Sequence, residues 1–259
     1  MIRLAANLTM LFTELPFLHR FGAAAEAGFK GVEFLFPYAF SADEIAEQLH
    51  NSHLQLVLHN LPPGNWEAGE RGIACHPDRI VEFEQGIETA IDYARKLGVA
   101  QLNCLAGIMP SNVSINDATA TLVRNLKFAA QRLKAEKIRL LIEPINTYDI
   151  PGFFLSGTKQ ALQLIEATGS DNLFLQYDIY HMQRMEGELL NTIQSNFSMI
   201  KHLQLADNPG RFEPGSGEIN FHNVFSKLES LGYDGWIGCE YKPQNGTLAG
   251  LHWRAQHRV

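Results

Sequence analysis

The sequence predicts a closed (β/α)8 barrel. Three observations lead there: eight apolar, strand-like runs alternate with helical segments, the chain has 259 residues, and no linker interrupts it. Strict alternation implies a parallel sheet with right-handed crossovers, and eight units in about 250 residues match one closed barrel. An open doubly wound sheet is the rival. Its usual mark, a glycine-rich turn after the first strand, is missing, as is any Walker-type phosphate loop.

The elements follow in order. Ile2–Leu8 reads as the first strand and Phe17–Ala27 as a helix stopped by Gly28. Val32–Phe36 is the second strand, closed by Pro37. Ser41 opens a helix through a capping box with Glu44. Leu54–Leu58 is the third strand and ends at His59-Asn60. Leu61–Asp78 is long, rich in Gly and Pro and without periodicity, which suggests a functional flap carrying Trp66, Glu70 and Arg71. A helix over Asp78–Leu97 ends at Gly98, and Gln101–Leu105 is the fourth strand. Ser114–Glu136 is helical, with Leu122, Leu126, Ala129, Ala130 and Leu133 on one face. Ile138–Glu143 is the fifth strand. An irregular stretch, 146–154, follows.

Thr158 is expected to cap a helix that Gly169 ends, and Asn172–Asp178 is the sixth strand. A helix over Glu186–Phe197 precedes the seventh strand, Ile200–Ala206. Asp207–Glu218 is a loop dense in Gly and Pro. Phe221–Leu231 is helical, Gly235–Glu240 is the eighth strand, and 247–253 forms a short final helix. The whole chain, 1–259, is thus expected to be a single barrel domain.

Composition narrows the function. Hydrophobic content of 46% and charged content of 19% describe an ordinary globular protein. A net charge of −7, with no compensating basic run, argues against nucleic acid or an anionic membrane as partner. No apolar stretch approaches the roughly 20 residues needed to span a bilayer. The opening Met1-Ile2-Arg3 is too soon polar for a signal peptide. Cys75, Cys104 and Cys239 lack metal or redox spacing, which points to reduced thiols and a cytoplasmic protein. A homo-oligomer is left open.

Four successive strands end on an oxygen-bearing side chain: Glu143, Asp178, Gln204 and Glu240. In a barrel, strand C-termini share one mouth, so these residues converge although far apart in sequence. Alternation along each strand permits inward orientation without requiring it. Three converging carboxylates would repel, and a divalent cation relieves that repulsion. An all-oxygen set of three carboxylates and one amide suits Mg²⁺ or Mn²⁺. No organic cofactor is called for.

The runs Leu140-Leu141-Ile142-Glu143-Pro144-Ile145-Asn146, Tyr177-Asp178-Ile179-Tyr180-His181-Met182-Gln183 and Gly235-Trp236-Ile237-Gly238-Cys239-Glu240-Tyr241-Lys242-Pro243 resemble the hydroxypyruvate isomerase family, within the xylose-isomerase-like barrels. The likeness extends to Ala6–Met10, Glu33–Tyr38 and Ala68–Gly72 and covers nearly the whole chain. The resemblance implies aldose–ketose isomerisation of a small 2-oxo acid or sugar acid. Glu143, Asp178, Gln204 and Glu240 fall on metal-ligand positions, and Glu143 and Glu240 also on the proton-transfer positions. His181 and Arg211 match positions that hold substrate oxygens. The family often has His where this chain has Gln204. Arg211, Lys242 and Arg71 are candidates for the substrate carboxylate, and His59 for a further substrate contact. Glu33 is expected to make an inward polar contact, and His202 to pack or donate a hydrogen bond. The same site could serve a 2-oxo-tetronate isomerase or a ketose 3-epimerase. An AP-endonuclease-like barrel and a non-catalytic binder are remoter alternatives.

Overall fold

The computed structural model describes residues 2–257. They close into a parallel barrel in which each strand pairs with the next and β8 pairs with β1. The strands are β1 Arg3–Asn7, β2 Gly31–Glu33, β3 Gln55–Asn60, β4 Gln101–Cys104, β5 Arg139–Ile142, β6 Leu173–Asp178, β7 Ile200–Leu205 and β8 Trp236–Cys239. The helices are α1 Arg20–Glu26, α2 Ala42–Asn51, α3 Ile80–Leu97, α4 Ile115–Ala135, α5 Thr158–Thr168, α6 Ile179–Met185, α7 Leu189–Ser195, α8 Phe221–Ser230 and α9 Trp253–His257.

Local chemistry explains most boundaries. Ser41 and Glu44 form the expected capping box at α2. The Ser114 hydroxyl caps α4 by accepting from the Asp117 backbone N–H. Along α4 the buried residues Ala118, Leu122, Leu126, Ala129 and Leu133 recur at helical spacing and seal that face against the strands. Gly98 and Gly169 end α3 and α5 in the left-handed conformation, which costs glycine nothing.

Three expectations need correction. Thr158 does not cap α5. Gly157 holds that position, and the Glu186 carboxylate accepts the Thr158 N–H at 2.6 Å from outside the helix. The helix expected over 186–197 is shorter, α7 at Leu189–Ser195, and an unexpected helix, α6 at Ile179–Met185, precedes it. Asp178 ends β6 and immediately caps α6, accepting from the backbone N–H groups of Tyr180 and His181. Glu188, at φ 47°, then breaks the path before α7. The second strand spans only Gly31–Glu33 rather than running to Phe36.

The large core lies between strands and helices, while a small cluster of Ala5, Val57, Leu58 and Leu141 fills the barrel interior. Toward the C-terminal mouth the interior turns polar. Each residue there lies two positions beyond an inward neighbour, as pleat alternation demands: Asn7 after Ala5, Asn60 after Leu58, Glu143 after Leu141. Register shifts between Val32 and Glu33, and between Leu175 and Gln176, sit beside this polar layer, where such bulges re-aim side chains.

Candidate active site

Glu143, Asp178, Gln204 and Glu240 are all buried at the mouth. Asp178 Oδ1 is used by the α6 cap, while Oδ2 has no hydrogen-bond partner. Arg211 reaches in from the loop after β7. Its Nη2 donates to Glu240 Oε2 at 2.8 Å and lies 3.6 Å from Asp178 Oδ2. His181 Nε2 lies 3.6 Å from the same Asp178 oxygen and 3.9 Å from Glu143 Oε1. Asn103 Nδ2 donates to Glu143 Oε2 at 2.9 Å and to Asn60 Oδ1 at 3.2 Å.

Beneath these groups runs a chain of amides and one carboxylate. Gln176 Nε2 donates to Gln204 Oε1 at 2.6 Å, and Gln204 Nε2 donates to Glu33 Oε1 at 2.8 Å. Glu33 also accepts from Asn7 Nδ2 at 2.9 Å and meets His202 Nε2 at 2.6 Å. Because Glu33 accepts, it turns the Gln204 amide so that Oε1 faces away from it. Gln204, Glu143 and Glu240 share a cavity of about 10 Å³ with Asn7, Glu33, Asn60 and Gln176. A larger cavity of about 560 Å³ is lined by none of these residues and lies between Phe12, Leu15, Ala27 and the 245–249 segment.

Electrostatics follow from burial. Burial and the charges of Glu240 and Asp178 push the Glu143 carboxyl well above the usual range. Glu240 is pushed up to about 8 by burial, with Arg211 opposing and Asp178 adding to the rise. Asp178 is raised by burial, offset in part by Arg211 and the two capping N–H groups. Burial works against the Arg211 cation, and Glu240, Asp178 and Glu143 more than restore it. Burial, with Arg211 and Arg184, holds His181 well below its ordinary value, so the ring is neutral.

Burial raises all three carboxyls, repulsion adds to the rise at Glu143 and Glu240, and a cation set among them would offset the cost of ionising them. Glu143, Asp178 and His181 each bring a ligand atom within 4.8 Å of the others, close enough to hold one metal ion. The fully buried Asp178 Oδ2, which accepts no hydrogen bond, is the independent sign that the donor set fits a hard cation.

Arg211 is presented by a pinned loop. Asp207 accepts from the backbone N–H groups of Asn208, Gly215, Gly217 and Ile219, and Arg211 itself sits at φ 58°. A non-glycine residue is held there only where its surroundings fix it. The Arg211 guanidinium stacks 5.3 Å over Tyr180, and its Nε is buried with no partner.

Three other candidates for substrate contact, His59, Lys242 and Arg71, make no hydrogen bond or ion pair with the strand-end carboxylates among the described residues. His59 points outward, because Leu58 and Asn60 take the inward positions. It stacks on Phe34, contacts the edge of Tyr38, and faces the Asn60 carbonyl through Nδ1. Lys242 is exposed, and its backbone N–H donates to the Arg211 carbonyl at 2.8 Å. Arg71 donates to the carbonyls of Trp66 and Glu70 and lies 4.1 Å over the Trp66 ring. Its flap is tied down by the Glu70–Arg79 ion pair. Neither Arg71 nor Lys242 forms an ion pair with the strand-end carboxylates among the described residues. Asn7, Asn60, Asn103, Gln176, Asn146 and Asp149 are site residues that the sequence reading passed over. Asn7 and Asn60 carried the same signal as Glu143, a polar residue where an apolar strand stops, whereas Asn103 lies within its strand.

A closed (β/α)8 barrel with carboxylates converging at its C-terminal mouth defines the xylose isomerase-like class. The family model of that description, xylose isomerase-like TIM barrel, matches residues 21–257. The hydroxypyruvate isomerase of Escherichia coli is 56% identical over 258 residues, covering 100% of both chains. A 2-oxo-tetronate isomerase of Cupriavidus necator is 44% identical over 253 residues, covering 98% of this chain and 97% of its own. A crystal structure from Brucella melitensis, described as an AP endonuclease of family 2, superposes with a TM-score of 0.97 at 44% identity and full coverage of both chains. The chain belongs to the hydroxypyruvate isomerase family of xylose isomerase-like barrels.

Proposed function

We propose that this protein interconverts hydroxypyruvate and 2-hydroxy-3-oxopropanoate (tartronate semialdehyde), with one divalent cation, Mg²⁺ or Mn²⁺, and no organic cofactor. The observation that carries the reading is the burial of Glu143 and Glu240 around Asp178 and Arg211, on strands that are not neighbours in the ring. Two carboxylates facing one small pocket from different walls can take a proton from one carbon and return it to the next.

Glu143, Asp178, Gln204 and Glu240 are the residues that would hold the cation. When bound, it supplies Lewis-acid stabilisation of the charge that develops on the substrate oxygens. The chain does the rest. Glu143 and Glu240 exchange protons with the two carbons through an enediolate. Asn103 fixes the Glu143 carboxylate by its hydrogen bond to Oε2, which leaves Oε1 toward the centre. The unpartnered Nε of Arg211 is a donor for the substrate carboxylate, in the planar geometry that suits bidentate recognition. His181 meets a substrate oxygen. The buried walls exclude water from the enediolate, which is otherwise open to side reactions.

A 2-oxo-tetronate substrate is the second reading, favoured by the 44% identity to a protein of that name. An endonuclease reading asks for a basic groove, whereas this chain carries a net charge of −7. A panel assay decides. Purified protein with Mg²⁺ or Mn²⁺ is offered hydroxypyruvate, a 2-oxo-tetronate and ketoses, and turnover of hydroxypyruvate is expected. Turnover of a tetronate or ketose with none of hydroxypyruvate overturns the substrate assignment.

A further inference from the structure

Asn146 opens the irregular segment after β5, and its amide has a fixed sense. Its Oδ1 accepts from the backbone N–H groups of Tyr148 at 3.1 Å and Asp149 at 2.8 Å. Backbone nitrogens only donate, so the oxygen end cannot be exchanged for the nitrogen end. Nδ2 therefore faces the remaining two neighbours, Asp149 Oδ2 at 3.1 Å and His181 Nδ1 at 2.6 Å. An amide nitrogen is a donor, so His181 Nδ1 must be the lone-pair nitrogen and the ring hydrogen must sit on Nε2. A doubly protonated ring would set N–H against N–H at the same contact. Asp149 anchors the arrangement from behind, accepting at Oδ2 from the Tyr180 hydroxyl and at Oδ1 from Arg184 Nη1.

We propose that Asn146 is a positioning residue that locks His181 in its Nε2–H tautomer, so that His181 faces the reaction centre as a hydrogen-bond donor and not as a metal ligand. Nε2 lies at ligand spacing from Glu143 and Asp178, but a nitrogen that carries hydrogen has no lone pair for a cation. The cation set is thereby confined to oxygen donors. The same Nε2–H suits a substrate oxygen that gains negative charge during enolisation. That second half rests on the isomerase reading, whereas the tautomer does not.

The test is a long-range ¹H–¹⁵N correlation spectrum of the histidine rings in the labelled full-length protein. His181 is assigned by its disappearance in His181→Gln. The wild-type ring is expected to show Nε2 protonated and Nδ1 bare, and to keep that pattern when Mg²⁺ is added. Asn146→Asp retains an oxygen for the Tyr148 and Asp149 N–H groups and replaces the donor by an acceptor. In that variant the ring is expected to switch to Nδ1–H, with kcat falling about 100-fold and KM moving far less, the size of effect seen when one preorganised donor is removed. A wild-type ring carrying Nδ1–H, a doubly protonated ring, loss of Nε2–H on adding Mg²⁺, or an Asn146→Asp variant with unchanged kcat overturns the proposal. If the wild type turns over no substrate in the panel, the isomerase reading fails while the tautomer is still read from the spectrum.

Discussion

Replacing Gly238 by alanine tests how the floor of the site is built. Gly238 lies in β8, two residues before Glu240 and therefore on the same inward face. A Cβ placed there would lie 2.1 Å from Glu33 Oε1 and 2.4 Å from both Glu33 Cδ and Oε2. Glu33 cannot retreat freely, because Asn7, Gln204 and His202 hold its two oxygens. Making room must break at least two of these contacts. A hydrogen bond to a charged group contributes about 1.5 kcal/mol or more, so the loss is about 3 kcal/mol before repacking. For a chain of this size that corresponds to a Tm drop on the order of 6–12 °C. Displacing Glu33 also releases the Gln204 amide, so Mn²⁺ affinity measured by calorimetry falls with stability. Gly22→Ala in α1 is the control: no atom lies within 4 Å of the added methyl, and a gain of about 0.5–1 kcal/mol is expected from helix propensity. A Gly238→Ala protein with wild-type Tm and Mn²⁺ affinity would refute the claim that Glu33 is clamped.

Three further outcomes are expected. Glu240→Gln folds with a wild-type circular dichroism spectrum, keeps weak Mn²⁺ binding and loses turnover; near-normal kcat removes Glu240 from proton transfer. Dialysis against EDTA abolishes activity and Mg²⁺ or Mn²⁺ restores it, whereas full activity in the chelated protein removes the cation from the reaction. Burial lowers His59 to about 4 from 6.5, so the unfolded chain binds its proton first as pH falls. The corresponding stability is present above pH 6.5 and is lost as pH falls through 4, by about 3 kcal/mol in total. Urea titrations of wild type and His59→Leu at pH 7.5 and 4.5 should show the variant losing less, and equal losses would sink the assignment.

The barrel was legible because its signals are periodic. Apolar runs, glycine stops and the Ser41 box each act over a few residues, and each reappears in the structure. The convergence of Glu143, Asp178 and Glu240 followed from topology alone, since a closed barrel brings every strand end to one mouth. What eluded the sequence depended on contacts between distant segments. Glu186 caps α5 from 28 residues away, a pairing with no local spacing. His59 ends an inward-looking sequence yet faces the helices, because the register places Leu58 and Asn60 inside. Arg71 and Lys242 had the right charge, but loop geometry spends one on Trp66 and leaves the other in solvent. The asparagines at 7 and 60, each at the end of its strand, carried a readable signal that a search for charge alone passes over.

Glu33 sets a rule of substitution for the residue above it. As an acceptor it needs a hydrogen from position 204, while the opposite end of that side chain must accept one from Gln176 Nε2. Glutamine meets both demands through its two amide ends, and a neutral histidine meets them through its two ring nitrogens. A glutamate there would set carboxylate against carboxylate, and a lysine would have no lone pair to give. Exchanging glutamine for a neutral histidine at this strand end therefore conserves the hydrogen-bond polarity. Any redesign at 204 has to begin by leaving Glu33 in place.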